Sequence, residues 1–158
     1  MNRPALLLAL TLITTGIPSF AATLACPDLS QASQVNACPT EEELKHTYSG
    51  YCSDDKKVYG RETDNCLRYK DYRAMKNTAL WESQEGDFSA YVSCDLHANK
   101  VKDLKAKDLK IEQQGSLTKV VCTYPNNITF TYRTKATCKI ADENACKSRG
   151  ADCRANCE

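Results

Sequence analysis

Histidine is nearly absent from this sequence: the 158 residues contain two, His46 and His97. No C-x-x-C pair and no H-x₃₋₅-H pair occurs. The spacings of zinc fingers and of thioredoxin-like redox centres are therefore missing. There is also no phosphate loop, no calcium loop, no dinucleotide fingerprint and no G-x-S-x-G elbow. A small secreted hydrolase would have to use His46 or His97. His46 falls on a short acidic stretch, and His97 lies two residues from Asp95 on the same face of an expected strand, a poor start for a triad. No catalytic residue, metal ligand or cofactor is expected.

Net charge is missing too. The whole chain has 21 basic and 20 acidic residues. That balance argues against bulk electrostatic binding to nucleic acid or anionic lipid. After the first 22 residues no stretch is apolar enough to span a membrane.

What the chain does have begins with "MNRPALLLALTLITTGIPSFAATLAC". Arg3 and the amino terminus form a positive start. Ala5 to Ile13 is apolar except for Thr11, and Gly16 and Pro18 follow. Ser19-Phe20-Ala21 and Phe20-Ala21-Ala22 each present a small residue for cleavage. This is the pattern of a secretory signal peptide over residues 1–22. The apolar run is too short for a transmembrane helix, which needs about 20 residues. A lipoprotein signal ending at Cys26 is the other exported reading, but Thr23 stands where such a signal carries leucine. Cleavage after Ala22 leaves residues 23–158 as one domain with 20 basic and 20 acidic residues.

All ten cysteines lie beyond the signal: Cys26, Cys38, Cys52, Cys66, Cys94, Cys122, Cys138, Cys146, Cys153 and Cys157. An even count in an exported small domain reads as a disulfide framework. Connectivity stays open at this level. Cys94 and Cys122 both fall on inward faces of expected strands, so a bridge between them is the first expectation.

Residues 23–77 read as helices and loops. In "CPTEEELKHTYSGYC", Thr40 and Glu43 form a capping box with Glu41 and Glu42 at the positive helix end, which predicts a helix over 41–48 ended by Gly50. "CLRYKDYRAMKN" places Leu67, Tyr69, Tyr72 and Met75 near one helical stripe. Residues 78–140 read as an antiparallel sheet. Phe88, Ala90, Val92, Cys94 and Leu96 alternate with Ser89, Tyr91, Ser93 and Asp95 after a turn at Glu85-Gly86. Val120, Cys122 and Tyr124 share one face of a further hairpin, and Ile128, Phe130 and Tyr132 share the facing arm. Pro125-Asn126-Asn127 supplies turn chemistry between them. Asn127-Ile128-Thr129 also fits an N-glycosylation acceptor. KDLK occurs twice, at 102–105 and 107–110, and reads as a solvated connection into a strand over 109–113. Residues 141–158 read as a cysteine-rich helical tail. Seven helical residues span about 10 Å, too far for Cys146 to reach Cys153 within one straight helix. Either that stripe bonds to the body or Gly150 turns the chain back. The expected class is α+β: a disulfide-stapled domain with a sheet of four or five antiparallel strands, short N-terminal helices and a helical C-terminal tail.

Four residues stand out as candidate partner contacts. Trp81 is the single tryptophan and adjoins Leu80, so one of the two faces away from the core. Packing beneath the helices is the structural expectation for Trp81, and an exposed aromatic anchor for a partner is the functional one. Tyr91 sits on the wetter face of its strand. Lys105 and Lys107 belong to a basic run with Lys100, Lys102 and Lys110.

The succession Cys38-Pro39, Trp81, "GDFSAYVSC" and "GSLTKVVCTY" with a short strand after it resembles small cysteine-rich periplasmic proteins of Gram-negative, intracellular pathogenic bacteria. The likeness spans about Cys38 to Arg133 and omits the cysteine-rich tail and residues 53–65. It implies a periplasmic location, with secretion beyond it as a further option, and a non-enzymatic role. A part in an envelope secretion machine or in virulence follows only by association. The expected activity is binding to an envelope or host protein. The alternatives are an inhibitor presenting the loop Ser53 to Asn65, and the hydrolase considered above.

Overall fold

The computed structural model describes residues 22–54, 56, 59, 64–148 and 152–158. Residues 1–21 of the expected signal therefore lie outside the described residues, while Ala22 begins a strand; Gly150 and most of the loop proposed for an inhibitor lie outside them too. The class is α+β with antiparallel sheets. In chain order the elements are β1 (Ala22–Ala25), β2 (Ser33–Gln34), α1 (Glu41–Tyr51), α2 (Asp64–Leu67), α3 (Tyr69–Lys76), β3 (Thr78–Glu82), β4 (Ser89–Ser93), α4 (Ala98–Lys102), β5 (Asp108–Gln114), β6 (Leu117–Thr123), β7 (Thr129–Thr134), β8 (Cys138–Ile140), α5 (Glu143–Ser148) and β9 (Arg154–Cys157). Two sheets form instead of one of four or five strands. The larger has six strands in the order β2-β3-β4-β7-β6-β5, and the smaller has three in the order β1-β9-β8.

The large sheet follows the alternation of its sequence. Phe88, Ala90 and Val92 are buried, while of the alternating residues Ser89 is half-buried and Tyr91 and Ser93 are exposed. Val120, Cys122, Tyr124, Ile128 and Phe130 are all buried. Tight turns connect the hairpins where glycine takes positive φ, 76° at Gly86 and 60° at Gly115, a region open to glycine without steric cost. These inner side chains join Leu24, Ala155 and Cys157 of the small sheet, together with Cys153, Leu29 and Val101, in one continuous core.

The short strands β1, β8 and β9 are invisible to a period-2 reading because three or four residues hold too little alternation. Tertiary pairing makes them strands: Thr23 lies opposite Asn156, and Cys138 opposite Cys157. The tail is thus a single turn and a half of helix followed by a strand. Helix α5 ends at Ser148, and the chain returns to bring the Cα atoms of Cys146 and Cys153 to 4.4 Å. Of the two tail arrangements, the fold-back is the one formed between those two cysteines.

All ten cysteines are paired: Cys26–Cys122, Cys38–Cys94, Cys52–Cys66, Cys138–Cys157 and Cys146–Cys153. The expected Cys94–Cys122 bridge is not made, and the reason is strand order. Cys94 follows β4 and Cys122 lies in β6, with β7 between those strands. Two inter-strand spacings of about 4.8 Å separate them, beyond the roughly 7 Å limit for a bridge. Cys122 instead bonds to Cys26, just after β1, and Cys94 to Cys38, between β2 and α1. Cys26 has no thiol left for a lipid.

The N-terminal helices pack apart from the main core. Helix α1 starts where predicted: the Thr40 side chain accepts from the Glu43 N–H at 3.2 Å, and the Glu43 carboxylate accepts from the Thr40 N–H at 2.7 Å. It runs three residues past Tyr48, to Tyr51, through Gly50. The second expected helix is broken at Arg68, whose extended backbone (φ −142°, ψ 127°) separates α2 from α3. The break rotates the stripe, so Tyr72 is buried while Leu67 is 71% exposed. Tyr48, Tyr51, Tyr69 and Tyr72 form an edge-packed cluster between α1 and α3, with ring centroids 5.2 to 5.6 Å apart.

Candidate functional site

Antiparallel alternation decides which way each β4 backbone group points. The N–H of Cys94 bonds to Asn77 and that of Ser83 to Phe88, so the even-numbered residues of β4 pair with β3. Odd-numbered Ser89, Tyr91 and Ser93 therefore direct their backbone toward β7. Only one residue pair, Ser89 opposite Thr131, registers across that boundary. From there the strands diverge toward the Pro125–Asn127 turn. The large sheet is two three-stranded halves joined at a seam.

A cleft of about 420 Å³ opens along the seam. Thr78, Tyr91, Ser93, Asp95, Asn126 and Asn127 contribute its polar walls, over a floor that includes Val92 and Ile128. On the other side of Tyr91 lies a hollow of about 250 Å³ bounded by Ser89, Thr129, Thr131 and Arg133. Tyr91 itself is 74% exposed. It ends a row that crosses the outer face of the sheet, because Leu80 lies opposite Tyr91 and the Val35 N–H bonds to the Leu80 carbonyl at 2.8 Å. Val35 is 54% exposed. Asn126 and Asn127 both occupy the left-handed region, at φ 61° and 56°. Asparagine tolerates that region better than other side-chain-bearing residues, yet two in succession are uncommon.

The charge at the cleft edge is compensated. Arg73 grips the Asp95 carboxylate through both terminal nitrogens at 3.1 Å, Asn77 donates to it at 2.9 Å, and Arg73 Nε reaches Glu41 at 3.1 Å. Glu41 also accepts from the Tyr69 hydroxyl at 2.7 Å. This chain of contacts ties α1 and α3 to the end of β4. It holds the Asp95 carboxyl below its ordinary range, chiefly through the Arg73 hydrogen bonds. Glu41 is likewise lowered, first by the Tyr69 hydroxyl and then by Arg73. Tyr69 is pushed up to about 12 by desolvation and by Glu41.

The sign of the resulting pH dependence is set by the two carboxylates. Their folded pKa values lie below the unfolded ones, so the contribution is complete above the ordinary carboxylate range and disappears as pH falls through the folded values. Arg73→Gln should therefore lower the melting temperature at about pH 6, and the gap to the unsubstituted protein should close toward about pH 2. A gap that stays constant over that range would show that Arg73 contributes by packing alone.

The other sequence candidates fall elsewhere. Trp81 is 3% exposed and belongs to the main core, so it is not a surface anchor. The wetter neighbour of the Leu80–Trp81 pair is Leu80, because the strand turns its odd-numbered residues inward. Lys105 and Lys107 are exposed in the connection before β5, and Lys105 pairs with Asp28 at 3.3 Å. His46 and His97 are exposed on separate elements, α1 and the residue preceding α4. The hollow beside His46 is lined by Thr40, Glu42 and Glu43, and the Thr40 hydroxyl is engaged with Glu43 at 2.9 Å. Among the described residues no three His, Cys, Asp or Glu side chains converge as metal ligands, and no helix is long and apolar enough to cross a membrane.

Sequence reasoning reached Tyr91 but not the seam. Asn126 and Asn127 carried a visible turn signal; that the turn would face β4 depends on β7 inserting between β4 and β6. The fold and cleft define a disulfide-held α+β domain with an open sheet face. Searches against family models, curated proteins and solved structures found no match for the chain.

Proposed function

We propose that this chain is a non-enzymatic binding domain, exported through its N-terminal signal to the periplasm or beyond, that engages an envelope or host protein. The observation that carries this reading is Tyr91: a large aromatic side chain, 74% exposed, between two hollows on a sheet held by disulfides. Exposed aromatic residues set among polar neighbours are the usual anchors of contact surfaces. Five disulfides with no free cysteine suit an oxidising compartment, and the likeness of residues 38–133 to periplasmic proteins supports the same location.

Tyr91→Ala should leave the melting temperature nearly unchanged, within about 0.5 kcal/mol of stability as for other exposed sites, and should abolish specific capture from a periplasmic or host-membrane extract. Lys105→Glu with Lys107→Glu should leave capture intact. The reverse pattern would move the contact surface to the basic connection before β5.

A further inference from the structure

We propose that the cleft at the β4–β7 seam binds a neutral saccharide, with the Tyr91 ring as a stacking platform and the side-chain amides of Asn126 and Asn127 as its hydrogen-bonding partners. The proposal rests on the binding-domain reading and places the contact on a glycan carried by the envelope or host partner.

Three properties of the cleft select this class. The first is charge. No lysine or arginine lines the larger cleft, and its one carboxylate, Asp95, is held by Arg73 and Asn77. A phosphate or carboxylate ligand would find no cation in that cleft, and a cationic ligand would compete with a bidentate guanidinium; Arg133 bounds the smaller hollow beyond Tyr91, where its guanidinium can donate to sugar hydroxyls. The second is hydrogen-bonding capacity. Among the described residues, the Tyr91 hydroxyl and the amides of Asn126 and Asn127 form no hydrogen bond to protein. Each planar amide offers donors and an acceptor together, as a ligand rich in hydroxyl groups requires. The third is shape. The cleft is open and of small-molecule size. Its apolar floor is closed, with Val92 and Ile128 at 2% and 6% exposure, so no deep slot awaits an apolar side chain or acyl chain. The negative face of an aromatic ring attracts the weakly positive C–H face of a pyranose. Tyr91, with a hollow on each side, suits a ring in the middle of a sugar chain.

An extended peptide adding to β4 is the competing occupant, and the strand end disfavours it. The Ser93 carbonyl accepts from the Leu96 N–H at 3.1 Å, and the Ser93 hydroxyl accepts from the Asp95 N–H at 3.3 Å. The strand thus turns in on itself two residues beyond Tyr91 and leaves little ladder for a partner. The paired left-handed asparagines fit the saccharide reading, since uncommon backbone conformations gather at ligand sites.

The test uses the mature protein, an array of neutral glycans, and NMR titration with chitotetraose and cellotetraose. Saturable binding that shifts the Asn126 and Asn127 side-chain amide signals is expected from at least one probe. Tyr91→Ala should weaken it by about tenfold or more, while Tyr91→Trp keeps it. Asn126→Gly and Asn127→Gly retain the backbone conformation and delete the amide; each should weaken binding without changing the fold. No response across array and titrations, or binding indifferent to Tyr91→Ala, overturns the proposal. Capture from an envelope extract oxidised with periodate, which cleaves sugar diols, separates the two readings. Tyr91-dependent capture lost on oxidation supports the saccharide. Capture that survives oxidation assigns a protein partner, so the binding-domain reading stands and the saccharide does not. No capture in either extract, with a silent array, overturns both.

Discussion

Trp81→Ala is expected to destabilise the protein by about 3–5 kcal/mol, the range for emptying a large aromatic site in a packed core. The indole is 3% exposed and shares its face of β3 with Ala79, opposite Ala90 on β4. Flanked by these small residues, the ring fills space that neighbouring side chains cannot reach after its removal. Domains of this size are stable by about 5–15 kcal/mol in total, so the variant should approach its unfolding threshold. Urea denaturation followed by circular dichroism measures the effect. A loss under about 1 kcal/mol would mean that the site collapses freely. Tyr91→Ala, ten residues away, is the control: it removes a comparable ring from the solvent face and should barely move the midpoint. The contrast separates a core aromatic from a contact aromatic, a distinction that composition does not carry.

Replacing Cys26 and Cys122 together with alanine is expected to cost about 4–5 kcal/mol, because the bridge closes a loop of 96 residues and the entropy removed from the unfolded chain grows with loop length. Cys38–Cys94 spans 56 residues and Cys52–Cys66 spans 14; the shortest of the three should cost about 3 kcal/mol. The order should appear in guanidinium unfolding of the three double-alanine variants. Cys26–Cys122 has a second consequence: it fastens the end of β1, and through β1 the small sheet, to the buried face of β6. Its loss should raise hydrogen exchange in β1 and β9 before the centre of the large sheet, which would remain paired on both sides. If the Cys52–Cys66 variant were instead the least stable, the loop-entropy ordering would be wrong for this fold.

Much of the large sheet was legible in the residues. The alternation from Phe88 to Ser93, the facing trios around Val120 and Phe130, and the Thr40–Glu43 capping box each depend on contacts within a few residues; the expected continuation to Leu96 is instead a turn closed by the Leu96 N–H on the Ser93 carbonyl. Such local patterns read directly as structure. The candidate surface residue Tyr91 was legible for the same reason: alternation puts it outside if Ala90 and Val92 are inside. Trp81 was ambiguous because its neighbour Leu80 is equally apolar, and only the register of β3 against β4 chose between them. The second helix forms over Tyr69–Lys76, but Leu67 falls outside its stripe, since nothing in the composition of "CLRYKDYR" marks the extended backbone at Arg68.

The sequence by itself determined the solvent and buried faces of the central strands, the first helix and its cap, and a cysteine count that calls for full pairing. Those features depend on side-chain periodicity and on chemistry near in the chain. The tertiary structure alone decided which cysteines pair, that three segments of three or four residues become a second sheet, and that β4 and β7 meet at one residue pair before parting. Each of these depends on strand order, a relation between distant segments that no local pattern encodes. The insertion of β7 between β4 and β6 keeps Cys94 from Cys122, sends each to another partner, and opens the seam in which Tyr91 stands.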